Sequence, residues 1–394
     1  VRAFTSAERR SRLARRHFLS TDGTADTPAD VAARLIGLHA TDPATPYLSL
    51  WARLSGFTRA DLHTELYEKR ALVKHLAMRR TLWVVRTDDL PAVQAVASDR
   101  VAATERKRLL ADAEKAGLPA DWLDAACSAV LAHLAEHGPT TARALRAALP
   151  ELAGSYDPAP GKPYGGVTPL APRVLTVLAV QGDIVRGPND GTWLVSRPHW
   201  VATADWLATV GEPVPAGPAS TDLVRRWLYA FGPATEADVK WWFGHTLTWV
   251  RAALRDVGAV EVALDDGPGG QIGYVLPDDL DPAPEPGPWA ALLPSLDPTA
   301  MGWAQRSWYL GEYRGHVFDR NGNAGPTAWW NGRIVGGWGQ DADGRVELHL
   351  LEDLGRDART ALAERAAELT DWLDGVRVSP RFPSPLSQAG RGGR

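Results

Sequence analysis

The segment Gly37-Leu38-His39-Ala40-Thr41-Asp42-Pro43 gathers an imidazole, a hydroxyl and a carboxylate beside a proline. Pro43 cannot continue a helix, and its ring pushes Asp42 toward extended geometry, so the three polar groups sit at a backbone turn. Such a trio can hold a water: neutral His39 accepts its proton, Thr41 hydrogen-bonds it, and Asp42 offsets positive charge developing opposite. The same spacing suits a helix C-cap, with His39 meeting the helix dipole and Thr41 and Asp42 bonding local amides. Spacing alone favours the cap.

A second concentration of chemistry is cationic: Lys69, Arg70, Lys74, Arg79, Arg80 and Arg86. Alternate residues of a strand face opposite ways, so only one of the adjacent Arg79 and Arg80 can face a polyanion unless both lie at a turn. These side chains read either as phosphate or minor-groove contacts or as a solvated edge strand. Residues 1–110 hold 19 Arg and Lys against 12 Asp and Glu, in a chain whose formal net charge is −4. One basic surface on an acidic body can collect phosphates, although a solvated helix face explains the asymmetry equally well. The arginine-rich stretch Val1 to Ser20 is expected to be a surface helix. Most of the 17 tryptophans belong to cores or module interfaces, and an exposed one could stack on an unpaired base.

Other chemistries lack their signatures. No Walker loop, Rossmann glycine fingerprint, HExxH or G-x-S-x-G pattern occurs. Cys127 is the single cysteine, which forbids an intramolecular disulfide and a cysteine-based zinc site and fits a reducing cytoplasm. No apolar run reaches the ~18 residues of a membrane span. The expectation is a protein with no metal, no cofactor and no membrane.

Positioning these groups requires elements, and the chain repeats itself. His-Gly-Pro-Thr-Thr-Ala-Arg-Ala-Leu starts at His137 and Phe-Gly-Pro-Ala-Thr-Glu-Ala-Asp-Val at Phe231. In each, Gly-Pro ends an amphipathic helix (Asp121–Glu136; Thr221–Ala230), and the threonine two residues after proline can N-cap the next. A second helix (Thr141–Leu149; Thr235–Phe243) and a third (Thr168–Gln181; Thr246–Val257) follow. Paired strands close each copy: Asp183–Val185 with Thr192–Ser196 about Asn189-Asp190-Gly191, and Ala259–Leu264 with Gln271–Leu276 about Gly267–Gly270. Three helices and a two-stranded wing describe a winged helix. A less regular copy lies upstream: helices Pro28–Leu38, Pro46–Leu54 and Thr58–Lys69, then strands Leu72–Ala77 and Thr81–Arg86.

The proline- and glycine-rich linker Asp278–Pro288 marks a boundary. Short strands follow at Trp289–Leu293, Ser307–Leu310, Thr327–Trp330, Arg333–Trp338 and Val346–Leu351, with Asn331-Gly332 a two-residue hairpin signal. They read as a small barrel closed by a helix over Arg356–Leu373. The predicted fold class is α+β: a first winged helix in residues 1–110, a second in 118–210, a third in 219–281, a C-terminal β-barrel in 288–378 and a disordered tail in 379–394.

Taken together, Gly37–Pro43, Tyr47–Arg53, Met78–Trp83 and the Gly-Pro repeats resemble the AlkZ/YcaQ family of alkylpurine and crosslink DNA glycosylases. Leu293–Pro298, Phe318–Gly322 and Asn331–Gly336 strengthen the match, which covers roughly residues 10–375. The resemblance implies a C-shaped scaffold of three winged helices and a barrel around a basic channel for double-stranded DNA. It implies hydrolysis of the N-glycosidic bond of alkylated or bulky-adducted purines, for repair or for self-resistance to a genotoxin. The family's signature is Gln-x-Gln or Gln-x-Asp at the end of the first long helix, and here those positions are His39 and Thr41. The expected catalytic set is therefore His39, Thr41 and Asp42. The expected DNA contacts are the six cations above with Asn331, Gly332 and Arg333, and tandem modules make a monomer sufficient. The alternatives are a catalytically inactive binder that recognises or shields DNA or regulates transcription, and a protein-interaction scaffold.

Overall fold

The computed structural model describes every residue except 1, 21–22, 160, 163–164, 208–210, 266–269 and 390–394. In it the repeated Gly-Pro-x-Thr signal organises both copies. Helix Trp122–His137 stops at Gly138 and Ala216–Phe231 runs to Gly232. Thr141 and Thr235 then cap the next helices, Ala142–Ala148 and Glu236–Phe243, each hydroxyl accepting an N–H at 3.2 Å. Third helices Ala171–Gln181 and Leu247–Val257 end on the left-handed glycines Gly182 and Gly258. In the later copy Val260–Leu264 pairs with Gln271–Val275 as expected; most of the turn assigned to Gly267–Gly270 lies outside the described residues.

The earlier copy differs. Ile184–Asn189 pairs with Pro198–Ala202 rather than with Thr192–Ser196. Trp200 and Val201 supply buried side chains there, whereas none of Thr192–Ser196 is buried. Asn189 ties off the longer loop, its amide donating to the Thr192 and Val195 carbonyls.

The architecture is α+β, in two compact units: Val1–Leu62 with Ser220–Arg394, and His63–Ala219. The second unit packs Leu123, Val130 and Leu134 of helix Trp122–His137 with Leu145, Val174, Leu178 and Ile184. It also holds the hairpin Leu72–Leu76 with Leu82–Arg86. Its turn is Met78–Arg80, where Arg79 and Arg80 both take positive φ (55° and 61°), so both arginines lie at the turn.

In the first unit, strand Ala3–Phe4 runs parallel to Val260–Leu264. Helix Ser6–Arg16, expected on the surface, instead buries Arg9 and Arg12. Arg12 and Arg16 both meet Asp279 at 2.6 Å, and Arg9 lies over the Trp308 ring. Much of the N-terminal basic excess therefore holds the unit together.

The C-terminal strands Ala290–Leu293, Thr327–Trp330, Arg333–Gln340 and Val346–Leu350 form an antiparallel meander. Asn331 and Gly332 turn its hairpin at φ 46° and 81°, the geometry of a type I′ turn. Among the described residues the sheet stays open rather than closing into a barrel: helix Arg356–Leu373 packs against both outer strands. Ser307–Leu310, expected as a strand, is a helical turn, because Trp308, Tyr309 and Leu310 are all buried and a strand would alternate. Nor does disorder begin at 379. Ser384 is buried, Pro385–Ala389 is a short helix, and Gln340 accepts the Val378 N–H at 2.8 Å, anchoring a segment whose composition lacks apolar periodicity.

Each unit hides a neutral histidine. Burial, helped by the Arg53 charge, pushes His17 down to about 3; burial pushes His75, hydrogen-bonded to Ser98, down to about 4. Both folded-state values lie below the unfolded ~6.5. Their contribution is thus fully present above 6.5 and is lost as pH falls toward 4 and 3, at up to about 1.4 kcal/mol per pH unit for each histidine. Urea unfolding at pH 7, 6 and 5 is expected to give steadily falling midpoints. An equal midpoint at pH 7 and pH 5 would contradict this.

Candidate active site

The polar turn at Asp42 is set by the helix that follows it. Arg53, just past helix Thr45–Trp51, donates to both oxygens of Asp297, Nη2 to Oδ1 at 2.7 Å and Nη1 to Oδ2 at 2.9 Å. Both side chains are 0% exposed. Ser49 donates to the same carboxylate at 2.6 Å, and the Thr299 N–H at 2.9 Å. Burial alone would raise the Asp297 carboxyl, but the Arg53 charge and these hydrogen bonds hold it below the ordinary carboxylate range.

The network continues into His17. Its Nε2 lies 3.1 Å from the Ala230 carbonyl, so that nitrogen carries the proton. Nδ1 then accepts the Thr299 hydroxyl at 2.8 Å, while Thr299 accepts Arg53 Nη2 at 2.8 Å. Thus the Tyr47–Arg53 and Leu293–Pro298 motifs, far apart in sequence, are two halves of one buried clamp.

One turn earlier, Thr45 donates to the Ser295 carbonyl at 2.8 Å, and the Ser295 hydroxyl donates to Asp42 Oδ2 at 3.1 Å. The Arg381 N–H reaches that oxygen at 2.9 Å, and the Ala44 N–H reaches Oδ1 at 3.2 Å. Asp42 is therefore held in one orientation on the wall of a cavity of about 560 Å³, within the range of small-molecule sites. Leu48, Pro294 and Trp338 give that cavity apolar walls; Gln340, Glu347, His349 and Arg377 give it polar ones. A carboxylate, an imidazole and a guanidinium in one recess can bind a polar heterocycle and oppose a developing cation.

Of the expected catalytic trio only Asp42 lines the cavity. His39 is 2% exposed, with Nδ1 3.4 Å from the Thr41 N–H, and Thr41 offers its carbonyl to Arg381. The sequence reading missed Glu347 and His349. Their spacing of two on a strand, which puts both on one face, was the available signal.

The expected DNA contacts are placed unevenly. Lys69 pairs with Glu65, Arg80 with Glu105 and Arg86 with Asp88, all at or below 2.9 Å. Arg70 donates to the Trp206 carbonyl and lies over its ring. Arg79 is half-buried at the hairpin turn, and Lys74 donates to the Tyr67 hydroxyl at 3.2 Å. In the first unit Arg333 pairs with Glu352, Asn331 exchanges two hydrogen bonds with Trp289, and Gly332 packs against the Arg10 side chain. That hairpin tip is braced against its own unit.

The expectation that no two histidines stand four residues apart on one helix face is corrected by His133 and His137, one turn apart on helix Trp122–His137 with rings stacked at 4.3 Å. Among the described residues no cluster of three or more His, Cys, Asp or Glu side chains could hold a metal ion. No helix there is long and apolar enough to cross a membrane.

A family model described as DNA glycosylase AlkZ-like matches residues 32–372. Among solved structures, the Streptomyces sahachiroi DNA glycosylase AlkZ is similar, with a TM-score of 0.72 and 21% identity over 95% of this chain and 98% of that one. No curated protein matches the chain.

Proposed function

Because the chain belongs to the AlkZ-like DNA glycosylase family, we propose that it binds double-stranded DNA and hydrolyses the N-glycosidic bond of an alkylated or bulky-adducted purine. The single observation that carries this reading is Asp42: a carboxylate locked by three donors on the wall of a base-sized recess. In this reading residues 1–110, 118–210 and 219–281 are winged-helix modules that take the duplex. Their repeated order of helices followed by a hairpin supports the assignment.

An alkylated purine is already cationic and leaves readily, so the enzyme's task is to orient water and to stabilise positive charge on the sugar. Asp42 supplies the negative potential, at fixed geometry and without reorganisation. Thr41 borders the same turn, and His39 holds that turn by accepting the Thr41 N–H rather than by meeting the cavity. No metal or redox group enters the reaction as proposed. The burial of His39 also favours a second reading, in which the protein binds DNA without cleaving it.

The test is single-turnover incubation with duplex DNA bearing N7-alkylguanine or a bulky purine adduct. Alkali-labile abasic sites and the free base are expected to appear together. DNA binding with no base released from any alkylated duplex would refute hydrolysis and select the second reading.

A further inference from the structure

Lys74 on strand Leu72–Leu76 and Arg186 on strand Ile184–Asn189 line one small cavity of about 50 Å³, walled by Leu82 and Val185. Neither meets a carboxylate among the described residues. Lys74 Nζ donates to the Tyr67 hydroxyl, and the Arg186 guanidinium lies 4.7 Å from the centre of the Trp200 ring. The buried Arg12 and Arg53 of the other unit, by contrast, each engage an aspartate. Burial, with Arg186 adding its like charge, pushes Lys74 down to about 8, and burial pushes Arg186 down to about 10. Both residues keep some solvent exposure, while their charged ends lie among protein atoms.

Two like charges in a partly apolar recess are costly until an anion joins them. A single carboxylate would match one of them; two cations suit an anion carrying more oxygens and more charge. We propose that Lys74 and Arg186 form a phosphate-binding site. The phosphate is either a backbone phosphodiester of DNA or a free phosphate ion.

Full-length protein in phosphate-free buffer is titrated with inorganic phosphate at constant ionic strength while the thermal midpoint is read. A saturable rise of about 2–4 °C is expected. Lys74→Met is expected to abolish the rise and Lys74→Arg to keep it. In phosphate-free buffer Lys74→Met should melt no lower than the wild type, since it removes an unpaired buried charge; a lower midpoint there would mark Lys74 as a purely structural group and overturn the site. The second arm rests on the DNA-binding reading: duplex affinity is measured against salt. A slope of log affinity against log salt that is shallower by about 1 in Lys74→Met assigns the phosphate to the DNA backbone. An unchanged slope beside a lost phosphate response assigns it to the free ion. No phosphate response in the wild type together with an unchanged slope overturns the proposal, whatever the glycosylase assay gives.

Discussion

Arg53→Met is expected to destabilise the folded chain by about 3–5 kcal/mol, because it strands a carboxylate where water cannot reach it. Asp297 is 0% exposed. Without Arg53 it keeps only the Ser49 hydroxyl and the Thr299 amide, too little to replace the lost solvation. His17 is disturbed in turn, since its carbonyl accepts Arg53 Nε at 3.0 Å and its tautomer depends on the Thr299 hydroxyl that Arg53 engages. The double variant Arg53→Met/Asp297→Leu removes both charges and is expected to recover much of the loss. Equilibrium urea unfolding of both variants checks this. A single variant within about 1 kcal/mol of wild type, or a double variant worse than the single, would show that the pair is not the clamp described.

The clamp's sign with pH is the reverse of a surface pair's indifference to it. The Asp297 carboxyl sits below its unfolded value of ~3.9, so its contribution is present above that pH and is lost only as pH falls through the depressed folded value. The histidines, by contrast, act from about 6.5 down to about 4 for His75 and about 3 for His17. Stability is therefore expected to fall first through the imidazoles, with the Asp297 contribution lost only at the acid end of their range.

What the sequence made legible were the signals that act locally. The paired Gly-Pro-x-Thr segments, the Asn331-Gly332 turn and the helix Arg356–Leu373 lie where propensity and capping put them. Elements chosen by tertiary burial were not legible: Ser307–Leu310 is helical because three consecutive side chains find a core, and Pro198–Ala202 displaces Thr192–Ser196 because Trp200 and Val201 are buried there while Trp193 and its neighbours are not. The site divides the same way. Asp42 was legible as a polar group at its own turn, where spacing favoured a helix cap, but Glu347, His349 and Arg377 reach the cavity through the sheet and the segment behind it, over 300 residues away. Charge counting misled most. Arg9 and Arg12 were expected on a surface helix and are instead buried ties.

Asp42→Asn is the substitution with the largest expected effect on turnover. The amide fits the same space, and its oxygen can still accept one of the donors that hold Asp42, but the negative charge is gone. On the proposed hydrolysis, in which Asp42 opposes an oxocarbenium-like transition state, this loss of charge is expected to lower the single-turnover rate about 10²–10³-fold while leaving duplex affinity near wild type. Ser295→Ala, which removes one of the three donors without removing charge, should cost only about 10-fold in rate. His39→Ala separates two roles for that imidazole. If it only holds the turn, the loss should be modest and nearly independent of pH; if it takes a proton from water, the wild-type rate should fall on acidification and the variant should lose that dependence. An Asp42→Asn protein that folds, binds duplex and releases base at the wild-type rate would remove Asp42 from the chemistry and leave the cavity without its reason.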